Sequence, residues 1–256
     1  VAVISVNAKR RWPDLFGPAE VTKVWAELKT MAAPFLGFMT GPLLLAININ
    51  GYALLVSKHY GPALFAIFLT VRTLVRLADN GINLVYSVLT MELSYARTPQ
   101  ADRRSLPFLS GLAFAGLAIT GSYVTLLYLW GDPIQHVWTS GKAAFSGGLV
   151  LVFGACLVLR TILVPFAALL ASRNAHTLPN FIYLLLSALT FGMSMIAASR
   201  GASLVQVAAW QIMAEALQLA ISCYYCARLL GLSLSGFVID VCRSGPKTAW
   251  QLARTP

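Results

Sequence analysis

The chain has 256 residues, of which 58% are hydrophobic and only 11% are charged, and its mean hydropathy is +0.72. Soluble domains carry about 25% charged residues, so this composition excludes an ordinary soluble domain and indicates an integral membrane protein. The net charge of +10 is not evidence for nucleic-acid binding, because the basic residues lie mostly between apolar runs.

The chain opens with a polar segment, residues 1–32, which we predict to be cytoplasmic. Between Val21 and Leu28, apolar residues recur at i, i+3, i+4 and i+7, which predicts a short amphipathic helix lying in the membrane interface. The chain begins at Val1 and not at methionine, so we expect it to be a fragment of a longer protein.

Six apolar runs follow, each close to the ~20 residues that span ~30 Å of hydrocarbon. They are about 33–56, 62–86 (with a helix able to continue to 96), 108–130, 147–171, 178–199 and 204–230. The loops between them are short, so neighbouring helices should be antiparallel. We therefore predict an all-α membrane protein with a six-helix lobe over residues 33–230 and a cytoplasmic tail at 231–256.

Basic residues are divided unevenly between the two sets of connections. One set contains only Lys58, Lys142 and Arg200. The other set contains thirteen, namely Lys9, Arg10, Arg11, Lys23, Lys29, Arg97, Arg103, Arg104, Arg173, Arg228, Arg243, Lys247 and Arg254. The positive-inside rule then predicts that both ends of this segment are cytoplasmic.

Polar side chains inside the apolar runs follow helical spacing. In the second run they are Arg72, Arg76, Asp79, Asn80, Asn83 and Ser87. The last run has Gln211, Glu215, Gln218 and Ser222, the fifth has Tyr183, Ser187, Thr190 and Ser194, and the first has Asn48 and Asn50. A helix with one polar face lines a cavity or packs in a bundle, so these stripes predict a hydrated central cavity.

Four ionisable side chains mark the middle of this cavity. At 1.5 Å per residue, Arg76, Arg160 and Glu215 lie ~18–21 Å below the outer ends of their runs, and Arg72 lies ~15 Å deep. Facing lipid, each would cost ~2.5–3.5 kcal/mol, so we expect them to turn inward.

The excess of arginine over acid favours an anionic cargo, because guanidinium forms paired hydrogen bonds with phosphate or carboxylate. Two alternatives remain open at this stage. The first is a structural Arg–Glu pair that fixes helix packing. The second is a Glu215 that binds and releases protons.

Signals for an enzyme are weak. His59, His136 and His176 lie in three separate loops and cannot share a metal ion, and Cys223-x-x-Cys226 lies within an apolar run without a second pair. No zinc-protease or nucleophile-elbow motif is present in the sequence. We therefore predict no catalytic residue, no metal site and no cofactor.

The order of short motifs resembles a known family. An asparagine-bearing span leads into LLVSKHYGPALFAIFLTVRTLVRLADN, a basic loop reads SYARTPQADRRS, the next span closes on LLYLWGDP, and a later small-residue helix ends FAALLASRNAHTLPN. Over residues 31–231 this order resembles the C-terminal half of the polysaccharide (O-antigen) flippases, Wzx-type, of the multidrug/oligosaccharidyl-lipid/polysaccharide exporter superfamily.

The resemblance implies two six-helix lobes around a central cavity, moving lipid-linked oligosaccharide across the bacterial inner membrane by alternating access. It implies that Arg72, Arg76 and Arg160 hold the diphosphate of a polyprenyl-diphosphate-linked oligosaccharide. The polar residues expected to contact sugar, gate or couple are Asn48, Asp79, Asn80, Gln211, Glu215 and Gln218. The implied partners are the lipid-linked oligosaccharide, membrane lipids, and a missing N-terminal lobe or second copy, with no nucleic acid.

Two other functions remain as alternatives. One is a cation-coupled exporter of drugs or small molecules, with Glu215 as the coupling group. The other is a membrane-embedded glycan polymerase or transferase, which would depend on an outer-loop residue such as His59 or His136.

Overall fold

The computed structural model describes residues 21–95 and 99–252, and this part of the chain consists of helices joined by short turns. The helices are α1 (Val21–Leu45), α2 (Tyr52–Tyr95), α3 (Pro99–Thr139), α4 (Gly147–Ser172), α5 (Thr177–Ser199), α6 (Leu204–Leu229) and α7 (Leu234–Leu252). A π-helical turn, Ala46–Gly51, joins α1 to α2.

Five helical stretches in the described part are long and apolar enough to cross a membrane, as the predicted all-α membrane protein requires. They are Leu28–Tyr95, Arg103–Thr139, Gly147–Ser172, Thr177–Ser199 and Leu204–Leu229. The first stretch contains both of the first two predicted runs. Its 68 residues would extend ~100 Å as one straight helix, over three times the ~30 Å of the hydrocarbon core.

The chain reverses within this long stretch at Gly61. Gly61 has φ 76° and ψ 173°, which is non-helical, and it precedes Pro62, whose ring disfavours a helical residue before it. Beyond the reversal, Arg72 donates hydrogen bonds back to the carbonyls of Asn48 and Ile49. The segments on the two sides of Gly61 therefore run antiparallel over about three turns.

Three turns of the chain meet at one end of the bundle, which we name the Gly61 end. The Tyr60 hydroxyl donates to the Ala202 carbonyl at 2.6 Å, which joins the reversal to the α5–α6 turn. Gly148, at the start of α4, packs against Val205, at the start of α6. The alternation expected from short loops is therefore present at this end.

Arginine side chains join the helix ends at the opposite end, which we name the Arg103 end. Arg103 donates to the Leu230 carbonyl after α6, and Arg173 donates to the Leu93 carbonyl near the end of α2. The last carbonyls of a helix have no intrahelical partner, so these guanidinium groups satisfy acceptors that would otherwise be left unpaired.

Helix α4 is the centre of the bundle, because most of its side chains are buried and it packs against α2, α3 and α6. Small residues allow α3 to approach α4 closely. A Cβ on Gly154 would lie 2.4 Å from Val124, and one on Gly116 would lie 2.5 Å from Thr161.

Two apolar clusters fill the interior. The cluster toward the Gly61 end includes Phe68, Phe153 and Val207. The cluster toward the Arg103 end includes Leu109, Phe166, Leu169 and Phe237. The segments between them carry the charged residues described below.

The helical boundaries differ from the prediction at both ends of the chain. Helix α1 runs without interruption across residue 32, where the sequence predicts a boundary between an interfacial helix and a span. Residues 1–20 and the side chains of 21–27 lie outside the described part. In the predicted tail, residues 234–252 form helix α7, which packs against α3, because Phe237, Val241, Ser244 and Thr248 recur with helical spacing.

Gly61→Ala should lower the free energy of unfolding by about 1–3 kcal/mol, because the backbone region that Gly61 occupies is almost exclusive to glycine. A Cβ at Gly61 would meet no atom within 4 Å, so the loss would come from the backbone alone. Chemical unfolding in detergent micelles measures it.

The matched control is Gly81→Ala, since a Cβ at Gly81 also meets no atom within 4 Å but the residue lies inside α2. That change should raise stability by about 0.5–1 kcal/mol. A Gly61→Ala protein as stable as the wild type would show that the reversal does not depend on this backbone conformation.

Candidate functional site in the membrane interior

Side chains from four helices meet between the two apolar clusters. The Arg160 Nη1 atom lies 2.9 Å from Asp79 Oδ2 and 3.1 Å from Oδ1, and its Nη2 atom donates to Glu215 Oε1 at 2.8 Å. The Tyr183 hydroxyl donates to the same Glu215 oxygen at 2.6 Å. We refer to Asp79, Arg160, Tyr183 and Glu215 as the charged cluster.

The depths calculated from the sequence agree with the contact between Arg160 and Glu215. Arg160 and Glu215 were expected at ~20 and ~18 Å from the outer ends of their runs, and their side chains form an ion pair. Asp79 lies about one turn from Arg76 on the same helix. Its carboxylate instead pairs with Arg160 on α4.

The charged cluster contains more acid than base. With both carboxylates ionised, Asp79, Arg160 and Glu215 carry a formal charge of −1, so Arg160 is not a surplus cation. Glu215 is 5% exposed, and its Oε2 atom has no hydrogen-bond partner in the described part of the chain. Buried polar atoms are normally paired, so this free oxygen is a place where a proton, a water molecule or a cation would be stabilised.

The Arg160 side chain is nevertheless accessible. It is 34% exposed, whereas the side chains of Asp79 and Glu215 are 12% and 6% exposed. Helices α2 and α6 have little direct contact with each other, and the guanidinium of Arg160 bridges them. Arg160 is therefore the most exposed of the three charged side chains.

Further unpaired polar atoms lie along the same helices. Gln211 and Gln218 are one turn before and one turn after Glu215, and Gln211 Nε2 and Gln218 Oε1 are buried without a partner in the described part. The hydroxyl of Ser187, one turn after Tyr183 on α5, is also buried and unpaired there. Such a strip is suited to ordered water or a polar ligand.

Arg72 has a structural position. Its Nη1 and Nη2 atoms donate to the carbonyls of Ile49 and Asn48 at 3.0 and 2.9 Å, and its guanidinium lies 5.6 Å from the centre of the Phe68 ring. Those carbonyls belong to the π-helical turn, where the helical hydrogen-bond pattern is displaced. Asn48, a predicted cavity residue, therefore contacts Arg72 through its backbone.

The polar face predicted for α2 is divided into two parts. Arg72 and Asp79 are buried, whereas the other members point out of the lobe. The exposed members are Arg76, Asn80, Asn83 and Ser87, which we name the α2 stripe. At ~100° per residue the six positions cover an arc of ~100°, and the lobe covers only the edge that holds Arg72 and Asp79.

Arg76 differs from the other intramembrane arginines. No hydrogen bond or ion pair from its guanidinium occurs within residues 21–95 and 99–252, and the side chain is exposed. Arg72 is held by backbone carbonyls and Arg160 by carboxylates. Of the three arginines expected to hold a diphosphate, Arg76 is therefore the one that remains open to a ligand.

Tyr183 is a member of the charged cluster that the prediction did not include among the site residues. Its position in the polar stripe of the fifth run was the available signal. Helices α5 and α6 are antiparallel, since the Ser194 hydroxyl donates to the Val207 carbonyl near the Gly61 end. That arrangement brings Tyr183 opposite Glu215.

Comparison with protein-family models, with curated proteins and with solved structures finds no match for this chain. The helices and the site therefore define the class by themselves: a helical membrane protein with a charged cluster in its interior and a polar stripe on the open face of α2. Within the described residues, no group of three or more histidine, cysteine or acidic side chains is placed to hold a metal ion.

Replacing Arg160 with methionine should destabilise the protein by about 3 kcal/mol, the lower end of the range for breaking a buried ion pair, because Arg160 is partly exposed. The change leaves two carboxylates without their cation. Unfolding of the purified protein in detergent measures the effect.

The informative comparison is the triple variant R160M/D79N/E215Q, which removes the arginine and also neutralises the carboxylates of Asp79 and Glu215. It should recover most of the lost stability, since no ionised group is left unpaired. A triple variant as unstable as Arg160→Met alone would mean that packing, and not charge, explains the loss.

Proposed function

We propose that this chain forms one lobe of a transporter that moves polyprenyl-diphosphate-linked oligosaccharide across the bacterial inner membrane, as its resemblance to Wzx-type flippases implies. The observation that carries the proposal is the α2 stripe, an exposed polar surface headed by Arg76 on an otherwise apolar membrane helix. No enzymatic step is part of this function.

The α2 stripe needs a polar neighbour. Arg76 lies ~21 Å along the helix from Pro62, so it is close to the middle of the bilayer. An arginine there costs at least ~2.5–3.5 kcal/mol when it faces lipid. A second lobe, either an N-terminal half or another copy, would enclose the stripe and turn it into one wall of a cavity.

The composition of this wall fits an amphipathic anion. The Arg76 guanidinium can form paired hydrogen bonds with a diphosphate. Asn80, Asn83 and Ser87 offer donors and acceptors for sugar hydroxyls, while Leu77 and Leu84, 59% and 67% exposed beside them, are suited to a polyprenyl chain. Arg72 and Arg160 already have partners in the lobe. We therefore assign a structural role to Arg72 and a coupling role to Arg160.

The proposed topology has six crossings with both ends of this segment in the cytoplasm. The reversal at Gly61 supports two crossings within Leu28–Tyr95. Lys58, Lys142 and Arg200, the three basic residues of the poorer set, all lie at or near the turns of the Gly61 end. We therefore assign the Gly61 end to the outer face, in accordance with the positive-inside rule.

Arg76→Ala should weaken binding of farnesyl diphosphate, a short polyprenyl diphosphate, by about 10- to 150-fold, because it removes a charge-assisted hydrogen bond of ~1.5–3 kcal/mol. In cells it should make lipid-linked sugar accumulate on the inner leaflet. Binding to the protein in nanodiscs and labelling of outer-leaflet glycan measure the two effects.

Two arginine variants serve as controls. Arg200→Ala removes the same charge from the Gly61 end and should leave binding unchanged. Arg72→Ala should lower the free energy of unfolding, since it leaves the Asn48 and Ile49 carbonyls unpaired, whereas Arg76→Ala should not. Unchanged glycan export in a folded Arg76→Ala protein would contradict the proposed cargo site.

A second candidate function, a cation-coupled exporter of small molecules, is favoured by one observation. The charged cluster has a formal charge of −1 and contains a buried carboxylate oxygen without a partner, at Glu215 Oε2. Binding of a proton or a monovalent cation there would neutralise the cluster. It would also weaken the hold of Glu215 on Arg160, which joins α4 to α6.

Glu215→Gln should abolish the dependence of transport on the cation gradient while leaving cargo binding within about threefold, because the amide keeps the size of the side chain but not its charge. Transport into vesicles with and without an imposed gradient measures this. The control is Glu92→Gln, which neutralises an exposed acid near the Arg103 end of α2. Gradient-driven transport by the Glu215→Gln protein would exclude Glu215 as the coupling group.

A further inference from the structure

Helix α7 presents a mixed apolar and basic surface away from the bundle. Its inward face carries Phe237, which packs against the Phe166 ring, and Gly245, whose Cβ position lies against the Phe114 ring. On the opposite side Ile239, Arg243, Pro246 and Trp250 follow i, i+4, i+7 and i+11 and form one ridge. All four are exposed, and Ile239 and Trp250 are each 61% exposed.

The flanks of the ridge have the same character. Val238 and Cys242 are exposed on one flank, and Lys247 is exposed on the other, beside Asp240. A helix that faces water on its outer side has a polar outer surface. The outer surface of α7 instead combines isoleucine, valine and tryptophan with arginine and lysine, which is typical of a helix lying in the membrane interface.

The surroundings of α7 are strongly basic. It begins five residues after the end of α6 and packs against α3, where Gly111 lies against Thr248 and Phe114 lies against Gly245. Residues 99–109 and 226–252 contain five basic residues (Arg103, Arg104, Arg228, Arg243 and Lys247) and two acidic ones (Asp102 and Asp240). Arg103 is engaged with the carbonyls of Leu230 and Gly231, so Arg104, Arg228, Arg243 and Lys247 remain as exposed cations.

We propose that the outer ridge of α7 and these four exposed cations form a docking surface for anionic phospholipid headgroups in the leaflet at the Arg103 end. Ile239, Val238 and Trp250 enter the acyl boundary, and Arg243 and Lys247 bind the phosphate groups above it. Charge complementarity selects the occupant, since four exposed cations face an anionic bilayer surface and the acids in these segments are fewer. The surface is separate from the charged cluster and the α2 stripe, and it does not depend on the proposed cargo.

The first test measures lipid selectivity in the purified full chain. Dioctanoyl-phosphatidylglycerol is titrated into the protein in detergent, with dioctanoyl-phosphatidylcholine and glycerol 3-phosphate as comparison ligands. The double variant R243Q/K247Q should bind the anionic lipid about 30-fold more weakly, which corresponds to about fivefold for each charge. The matched control K58Q/K142Q removes two exposed cations at the Gly61 end and should bind within about twofold of the wild type.

The second test locates the lipid. In a chain whose other three cysteines are replaced by alanine, a fluorophore on Cys242 reports on the flank of the ridge. In mixed vesicles at equal mole fraction, brominated phosphatidylglycerol should quench this label several-fold more than brominated phosphatidylcholine, and R243Q/K247Q should remove the difference. Unchanged lipid affinity in R243Q/K247Q, equal binding of glycerol 3-phosphate, or equal quenching by the two brominated lipids in the parent chain would each overturn the proposal.

Discussion

The ion pairs of Arg160 with Asp79 and Glu215 set the register of three helices. The contacts of α4 with α2 and α6 are otherwise largely apolar. Apolar surfaces in lipid gain little from one alignment over another. A guanidinium in the membrane interior is stable only where its partners lie at the same depth. The charged cluster therefore permits few alternative alignments of these helices, and this fixes the two apolar clusters on either side of it.

The same requirement accounts for the positions of the other arginines. Arg72 meets the carbonyls of the π-helical turn, and Arg103 and Arg173 meet carbonyls at the ends of α6 and α2. Each of these side chains compensates an acceptor that the helices leave open. Arg76 has no such compensation within the described residues. That contrast, more than the total number of arginines, makes it the candidate for an external anion.

The apolar runs predicted the membrane helices because a bilayer accepts few other structures, and a rise of 1.5 Å per residue placed Arg160 and Glu215 at one level. The partner of Asp79 was not predictable, since adjacent positions on one helical arc differ by only ~20–40° and the side covered by α4 depends on the whole bundle. The π-helical turn and α7 were missed for a related reason: Ala46–Gly51 has no distinctive composition, and α7 is amphipathic but too polar to read as a span. The packing of the helices likewise determines which residues of the polar arc face the lobe.

The π-helical turn also has a geometric consequence. This turn holds one residue more than an α-helical turn. It therefore rotates the part of α1 before Ala46 by about 100° relative to residues 52–60, which follow the turn. This offset sets which side of α1 faces α5, where the close approach of Gly37 to Thr177 leaves no room for a Cβ. Loss of one residue from Ala46–Gly51 would restore a regular helix and turn a bulkier neighbour of Gly37 into that contact. The contact with Thr177 therefore constrains both the number of residues in Ala46–Gly51 and the choice of glycine at position 37.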